Sequence, residues 1–257
     1  MGNAYDSLGQ YQQAIRFHQQ SLEIAREIGD RYIEGRSLDH LGNAYRSLGQ
    51  YQQAICFHQQ SLEIAREIGD RYIEGRSLDH LGNAYRSLGQ YQQAICFHQQ
   101  SLEIAREIGD RSGEGSSLNN LGNAYDSLGE YQEAIPFYQQ SLKIATEIGA
   151  RYVEGRSLGN LGNAYNSLEQ YQEAIRCHQQ SLKIAREIGD RSGEGLSLGN
   201  LGVAYDCLGQ YHQAIRFHQQ SLEIAIEIGD RRGEADAWFN LGLALEKENR
   251  KLDAKLD

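Results

Sequence analysis

Residues 31–70, RYIEGRSLDHLGNAYRSLGQYQQAICFHQQSLEIAREIGD, return without a change as residues 71–110. The same forty-residue spacing governs the rest of the chain. Leu-Gly-Asn-Ala-Tyr starts at Leu41, Leu81, Leu121 and Leu161, with Leu-Gly-Val-Ala-Tyr at Leu201. Gln-Gln-Ser-Leu starts at Gln19, Gln59, Gln99, Gln139, Gln179 and Gln219. Each unit reads as two helices. Leu38, Leu41, Tyr45 and Leu48 recur at three- and four-residue steps, the signature of one helical face. After Leu48-Gly49-Gln50 a second face begins: Tyr51, Ala54, Ile55, His58, Leu62, Ala65 and Ile68. Gly69 suits the left-handed position that ends a helix. Asp70 suits the N-cap of the next, where a carboxylate accepts free N–H groups of the first turn. Ala150 stands where the other units have Asp, which predicts a more frayed helix start. The glycines of Ser112-Gly113-Glu114-Gly115 and Ser192-Gly193-Glu194-Gly195 weaken two further starts. Pro136 removes one hydrogen bond early in a second helix and predicts a slight kink there.

Composition narrows the function classes. The chain has 257 residues, 40% hydrophobic and 23% charged, so it is able to form a core. Its net charge of −10 argues against a nucleic-acid binder, which is ordinarily basic. No apolar run approaches a membrane span, and Met1-Gly2-Asn3-Ala4-Tyr5-Asp6 has neither the pattern of a signal peptide nor that of a myristoylation site. Alternating strand patterns are absent, which excludes a forty-residue propeller blade. Nothing reads as a linker. The expectation is one array over 1–257, with a partial repeat at 1–30, full repeats at 31–70, 71–110, 111–150, 151–190 and 191–230, and a partial repeat at 231–257.

Leu38-x-x-Leu41-Gly42-x-x-Tyr45, with Ala54 twelve residues after the glycine, resembles the tetratricopeptide repeat (TPR) signature. Trp238-x-x-Leu241-Gly242 carries that family's tryptophan as well. In residue terms, Gly42 lets two helices approach, Tyr45 fills the space between them, and Ala54 sits where there is no room. The unit is longer than the usual 34 residues, and Arg66 occupies the position of the family's proline. The pattern is similar to the repeats of LGN/Pins scaffolds and to the arrays of bacterial signalling ATPases and caspase-like proteases; kinesin light chains are more distant. No GoLoco-like segment follows. The resemblance implies an all-α fold, an α-solenoid of antiparallel hairpins wound into a right-handed superhelix, that binds proteins or peptides.

In that family the first helices line the concave face. Counted from Gly42, this places Arg36, Asn43 and Arg46 in the groove, then Arg76, Asn83 and Arg86, then Asn120 and Asn123, then Arg156, Asn160 and Asn163, and finally Asn200 and Asn240. The face runs from arginine-rich, through an asparagine ladder, to an end that is apolar and acidic, with an apolar anchor at Leu196, Val203, Phe239 and Leu243. An asparagine amide both donates and accepts, so it can pair with a peptide bond whatever the side chain. The arginines would select carboxylates, which predicts an acidic partner segment. The bland alternative is that Arg36 and Asp39, three residues apart, neutralise each other. The Hsp90-type carboxylate clamp is not matched: it needs Lys where this chain has Asp39, Asp79, Asn119 and Gly159.

His18, His58, His98, His178 and His218, with Tyr138 in the same place of its unit, lie on the apolar face of the second helix. They read as packed, hydrogen-bonded side chains, with no carboxylate or thiol at a spacing that completes a metal site. His40 and His80 face the groove. Cys56, Cys96, Cys177 and Cys207 include no C-x-x-C, and reduced thiols in a cytoplasmic protein fit them best. No phosphate-binding loop, H-E-x-x-H, nucleophile elbow or dinucleotide glycine pattern occurs. The expectation is therefore no enzyme, no cofactor and no metal, with a protein or peptide partner, no nucleic acid and no membrane. Two other readings stay open: a structural spacer or sensor piece of a larger signalling ATPase or protease, and a homo-oligomer formed through uncapped ends.

Overall fold

The structure, a computed structural model, describes residues 9–253. Residues 1–8 of the partial repeat read at 1–30, and residues 254–257 of the one read at 231–257, lie outside the described residues. Twelve helices follow one another among the described residues: α1 (Tyr11–Ile28), α2 (Arg31–Ser47), α3 (Tyr51–Ile68), α4 (Arg71–Ser87), α5 (Tyr91–Glu107), α6 (Arg111–Ser127), α7 (Tyr131–Glu147), α8 (Arg151–Ser167), α9 (Tyr171–Ile188), α10 (Arg191–Cys207), α11 (Tyr211–Ile228) and α12 (Arg231–Asp253). None is long and apolar enough to cross a membrane.

The chain divides into two compact units, Met1–Glu130 and Tyr131–Asp257. In the first, each of α1 to α6 packs against its neighbour in sequence. The first helices of successive repeats also meet, α2 with α4 and α4 with α6. The second unit repeats the plan: α7 to α12 pack in order, α8 meets α10, and α10 meets α12. Second helices have no comparable mutual contact among the described residues. Within each unit the first helices therefore form the inner row and the second helices the outer one. The family resemblance assigns the groove to the same row.

The expected faces carry the core. Leu38, Leu41, Ala54, Ile55, His58, Leu62 and Ala65 are buried. Tyr45 is half-buried and stacks on Phe57 at 5.1 Å between ring centroids. Two expectations fail: Leu48 and Ile68, read as members of the two apolar faces, are 36% and 39% exposed. Leu48 follows the last residue of α2, and Ile68 is the last residue of α3. Ile64 takes the buried place instead, with its Cγ2 3.1 Å from where a Cβ on Gly35 would stand. Gly42 is required for a similar reason, because a side chain there would run into the His58 ring.

The caps form as read. Gly69 has φ +70°, and Asp70 N donates to Ala65 O at 2.9 Å. The Asp70 carboxylate accepts from Ile73 N at 2.9 Å. Ala150 makes no side-chain cap, yet α8 spans the same seventeen residues as its capped counterparts. The expected fraying does not shorten the helix, because packing against α7 and α9 holds it. Pro136 lies inside α7, which continues past it. Between hairpins, the serine hydroxyls of Ser61 and Ser77 pair at 3.0 Å, and those of Ser141 and Ser157 do the same. These bonds satisfy polar atoms in a buried contact.

Candidate functional site

Shallow clefts open on the inner row where two first helices meet over the second helix between them. In the first unit, one cleft of about 260 Å³ is lined by Tyr72, Arg76, Asp79, His80, Ser112 and Ser116, among others. In the second unit, a cleft of about 240 Å³ is lined by Tyr152, Arg156, Asn160, Asn163, Leu196 and Asn200. A third, of about 310 Å³, is lined by Leu196, Val203, Asp236 and Asn240. The spacing that produces these linings is helical. Tyr152, Arg156, Asn160 and Asn163 lie four, four and three residues apart and share one side of α8.

The predicted residues differ in how far they are already engaged. Arg36 is exposed and lies over the Tyr32 ring, 5.6 Å from its centroid. Arg156 is exposed. Neither makes an ion pair among the described residues. Arg36 does not pair with Asp39: that carboxylate is buried and pairs with residues of the next repeat instead. Arg76 reaches Asp39 Oδ2 at 3.4 Å. Arg46 and Arg86 are half-buried, and Arg86 faces Asp126, whose carboxyl burial pushes up against the pull of that arginine.

The asparagines are partly committed too. Asn43 Nδ2 lies 3.4 Å from His80 Nδ1. Asn83 donates to Asp79 on its own helix. Asn120 donates to both Asp79 carboxylate oxygens, at 2.9 and 3.1 Å. Asn200 donates to Asn163 Oδ1 at 3.0 Å. Asn123, Asn160 and Asn240 are half-buried, and Asn160 and Asn240 line clefts. The structure thus brings Arg156, Asn160, Asn163 and Asn200 together around one cleft.

Two features escaped the sequence reading. One is the tyrosine a turn before Arg36, Arg76 and Arg156, namely Tyr32, Tyr72 and Tyr152, all exposed. Its signal was available as the Tyr-x-x-x-Arg spacing. The other corrects an expectation. A carboxylate does stand beside the histidine ladder. Asp39 Oδ1 lies 3.3 Å from His58 Nδ1 and 2.6 Å from His80 Nδ1. His58, nineteen residues on, reaches Asp39 across the hairpin of one repeat, and His80, forty-one residues on, reaches it only because the repeats stack. Burial pushes the Asp39 carboxyl up, but His80 and His58 beside it hold it well below the usual carboxylate range. Burial pulls the His80 imidazole down, and Asp39 more than reverses that and raises it. Burial leaves His58 lowered. One repeat on, burial again opposes ionisation of Asp79, and the His98 and Asn120 hydrogen bonds bring it to about 2.

The sequence model of the tetratricopeptide repeat family matches residues 1–67, 68–147 and 154–227. No curated protein sequence matches. Among solved structures, BtubC from P. vanneervenii is similar, with a TM-score of 0.75 at 20% identity over 85% of this chain and 92% of that one. A signal transduction ATPase with numerous domains (STAND) from Pyrococcus horikoshii, described as having a tetratricopeptide repeat sensor, aligns with all of this chain over 42% of its own length. Its TM-score is 0.73 at 22% identity. A Rap protein complexed with Competence and Sporulation Factor has a TM-score of 0.71 at 16% identity, over 96% of this chain and 73% of that one. At these identities the likeness concerns the fold.

Proposed function

The chain belongs to the tetratricopeptide repeat family, and we propose that it is a non-catalytic protein–protein interaction scaffold holding an extended peptide segment on its inner row. The observation that carries this reading is the cleft between α8 and α10. Its aromatic ring, guanidinium, amides and leucine offer both backbone pairing and side-chain contact. The Rap structure, complexed with Competence and Sporulation Factor, supports ligand binding on such a fold. The preferred segment is acidic. Arg36 and Arg156 are exposed, and a carboxylate on either would gain paired N–H bonds. Arg76 is a weaker selector because it already serves Asp39.

The test is the salt dependence of binding for peptides selected on the wild-type chain. Arg36→Glu with Arg156→Glu weakens binding of acidic peptides and flattens its salt dependence. Unchanged affinity removes the acidic preference. A second reading, a sensor segment within a larger signalling protein, is favoured by the STAND protein, in which a similar array accompanies further domains. In that case ligand binding by this chain alters the activity of an attached domain.

A further inference from the structure

We propose that the Asp39 carboxylate and the His58 and His80 imidazoles form a binding site for one divalent transition-metal ion such as Zn²⁺. The three residues come from α2, α3 and α4, and their ligand atoms all lie within 4.8 Å of one another. A tetrahedral ion with bonds of about 2.0–2.1 Å holds its ligand atoms roughly 3.3 Å apart. Asp39 Oδ1 and His58 Nδ1 already stand 3.3 Å apart. His80, at 2.6 Å from the same oxygen, has to withdraw by roughly 0.7 Å to match that tetrahedral spacing. It is the one member with an exposed edge, so it has room to do so.

Independent support comes from His58. Its side chain is fully buried, and neither ring nitrogen completes a hydrogen bond, Nδ1 only facing Asp39 at 3.3 Å. A buried imidazole left in that state is costly, and a metal bond would use one of its nitrogens. Arg76 approaches the other carboxylate oxygen, Oδ2, at 3.4 Å. It leaves Oδ1 for the ion and orients the carboxylate as an outer-shell donor does. Its charge repels the ion, which sets the site at moderate strength, and three protein ligands leave the fourth position to water.

The chain carries its own control. Residues 71–110 repeat 31–70, so Asp79 and His98 reproduce the first two ligands, 2.9 Å apart. The third place is Asn120, whose amide donates to Asp79. The ligand set is complete once among the described residues, because only there is a repeat with aspartate at the position of Asp39 followed by a repeat with histidine at the position of His80.

The experiment is titration of the tag-free, metal-stripped, reduced chain with Zn²⁺ by calorimetry and with Co²⁺ by visible absorption. Wild type is expected to bind one equivalent with the absorption of a four-coordinate Co²⁺ site. His80→Asn copies the arrangement that the next repeat already uses, so it keeps the fold. It is expected to lose at least about 100-fold in affinity, beyond the 10–100-fold that loss of an outer-shell partner costs. Asn120→His is expected to raise the stoichiometry to two. All three proteins retain the four cysteines, so thiolate binding would not distinguish them. No saturable binding by wild type, equal binding by His80→Asn, or an unchanged stoichiometry in Asn120→His overturns the proposal.

Discussion

The His98 imidazole lies 2.9 Å from the Asp79 carboxylate and fills the space over Gly82, where an added Cβ would come within 2.5 Å of the ring. The ring is fully buried, so it has nowhere to retreat. Gly82→Ala is expected to destabilise the chain by about 1–3 kcal/mol, the usual cost of overpacking. Chemical denaturation followed by circular dichroism reads this directly, and a variant as stable as wild type would refute the packing account.

Ala150 offers the opposite opportunity. Asp30, Asp70, Asp110 and Asp190 all accept a hydrogen bond at the start of the following helix, and Ala150 does not. Ala150→Asp is expected to stabilise by about 1 kcal/mol. Amide exchange in the first turn of α8 should slow as the melting temperature rises.

Glu169 has φ +59° and is the one non-glycine residue with positive φ among the described residues. Gly49, Gly89, Gly129 and Gly209 fill the equivalent place in other repeats. A side chain in this conformation costs about 1–2 kcal/mol, partly offset by the greater unfolded freedom of glycine. Glu169→Gly should therefore gain about 0.5–1 kcal/mol on that balance. A lower melting temperature would show that the Glu169 side chain makes a compensating contact.

Acid should weaken the second unit through His178. Burial pushes its imidazole from 6.5 down to about 4. The folded chain thus refuses a proton that the unfolded chain accepts between those values. Above pH 6.5 nothing is lost. As the pH falls toward 4, stability drops by up to about 3 kcal/mol. His178→Tyr, which copies Tyr138 at the same repeat position, should flatten this part of the pH profile. A profile as steep as that of wild type would place the loss elsewhere.

Most of the fold was legible because the repeat supplies its own alignment. The two helical faces, the turn at Gly49 and the cap at Asp70 each depend on residues a few positions apart, and local spacing reveals them. What the sequence hid lies across repeats. Asp39 meets His80 only through stacking, so a reading within one repeat offered Arg36 as the alternative partner of Asp39. The exposure of Ile68 and the burial of Ile64 follow from where α2 and α4 reach along α3. The groove asparagines were found as a row, but their hydrogen bonds to Asp79 and Asn163 depend on side-chain direction, which spacing does not give.

The inner-row clefts as the binding surface are the central claim, and affinity mapping tests it most directly. Peptides selected from a random linear library on the wild-type chain would be titrated against two variants. Tyr152→Ala with Asn200→Ala alters the α8–α10 cleft; Arg216→Ala with Gln220→Ala alters the outer-row surface of α11. A loss of at least about tenfold, or 1.4 kcal/mol, is predicted for the cleft variant and no change for the other. Equal affinity for the cleft variant, or loss confined to the outer-row variant, would contradict the account.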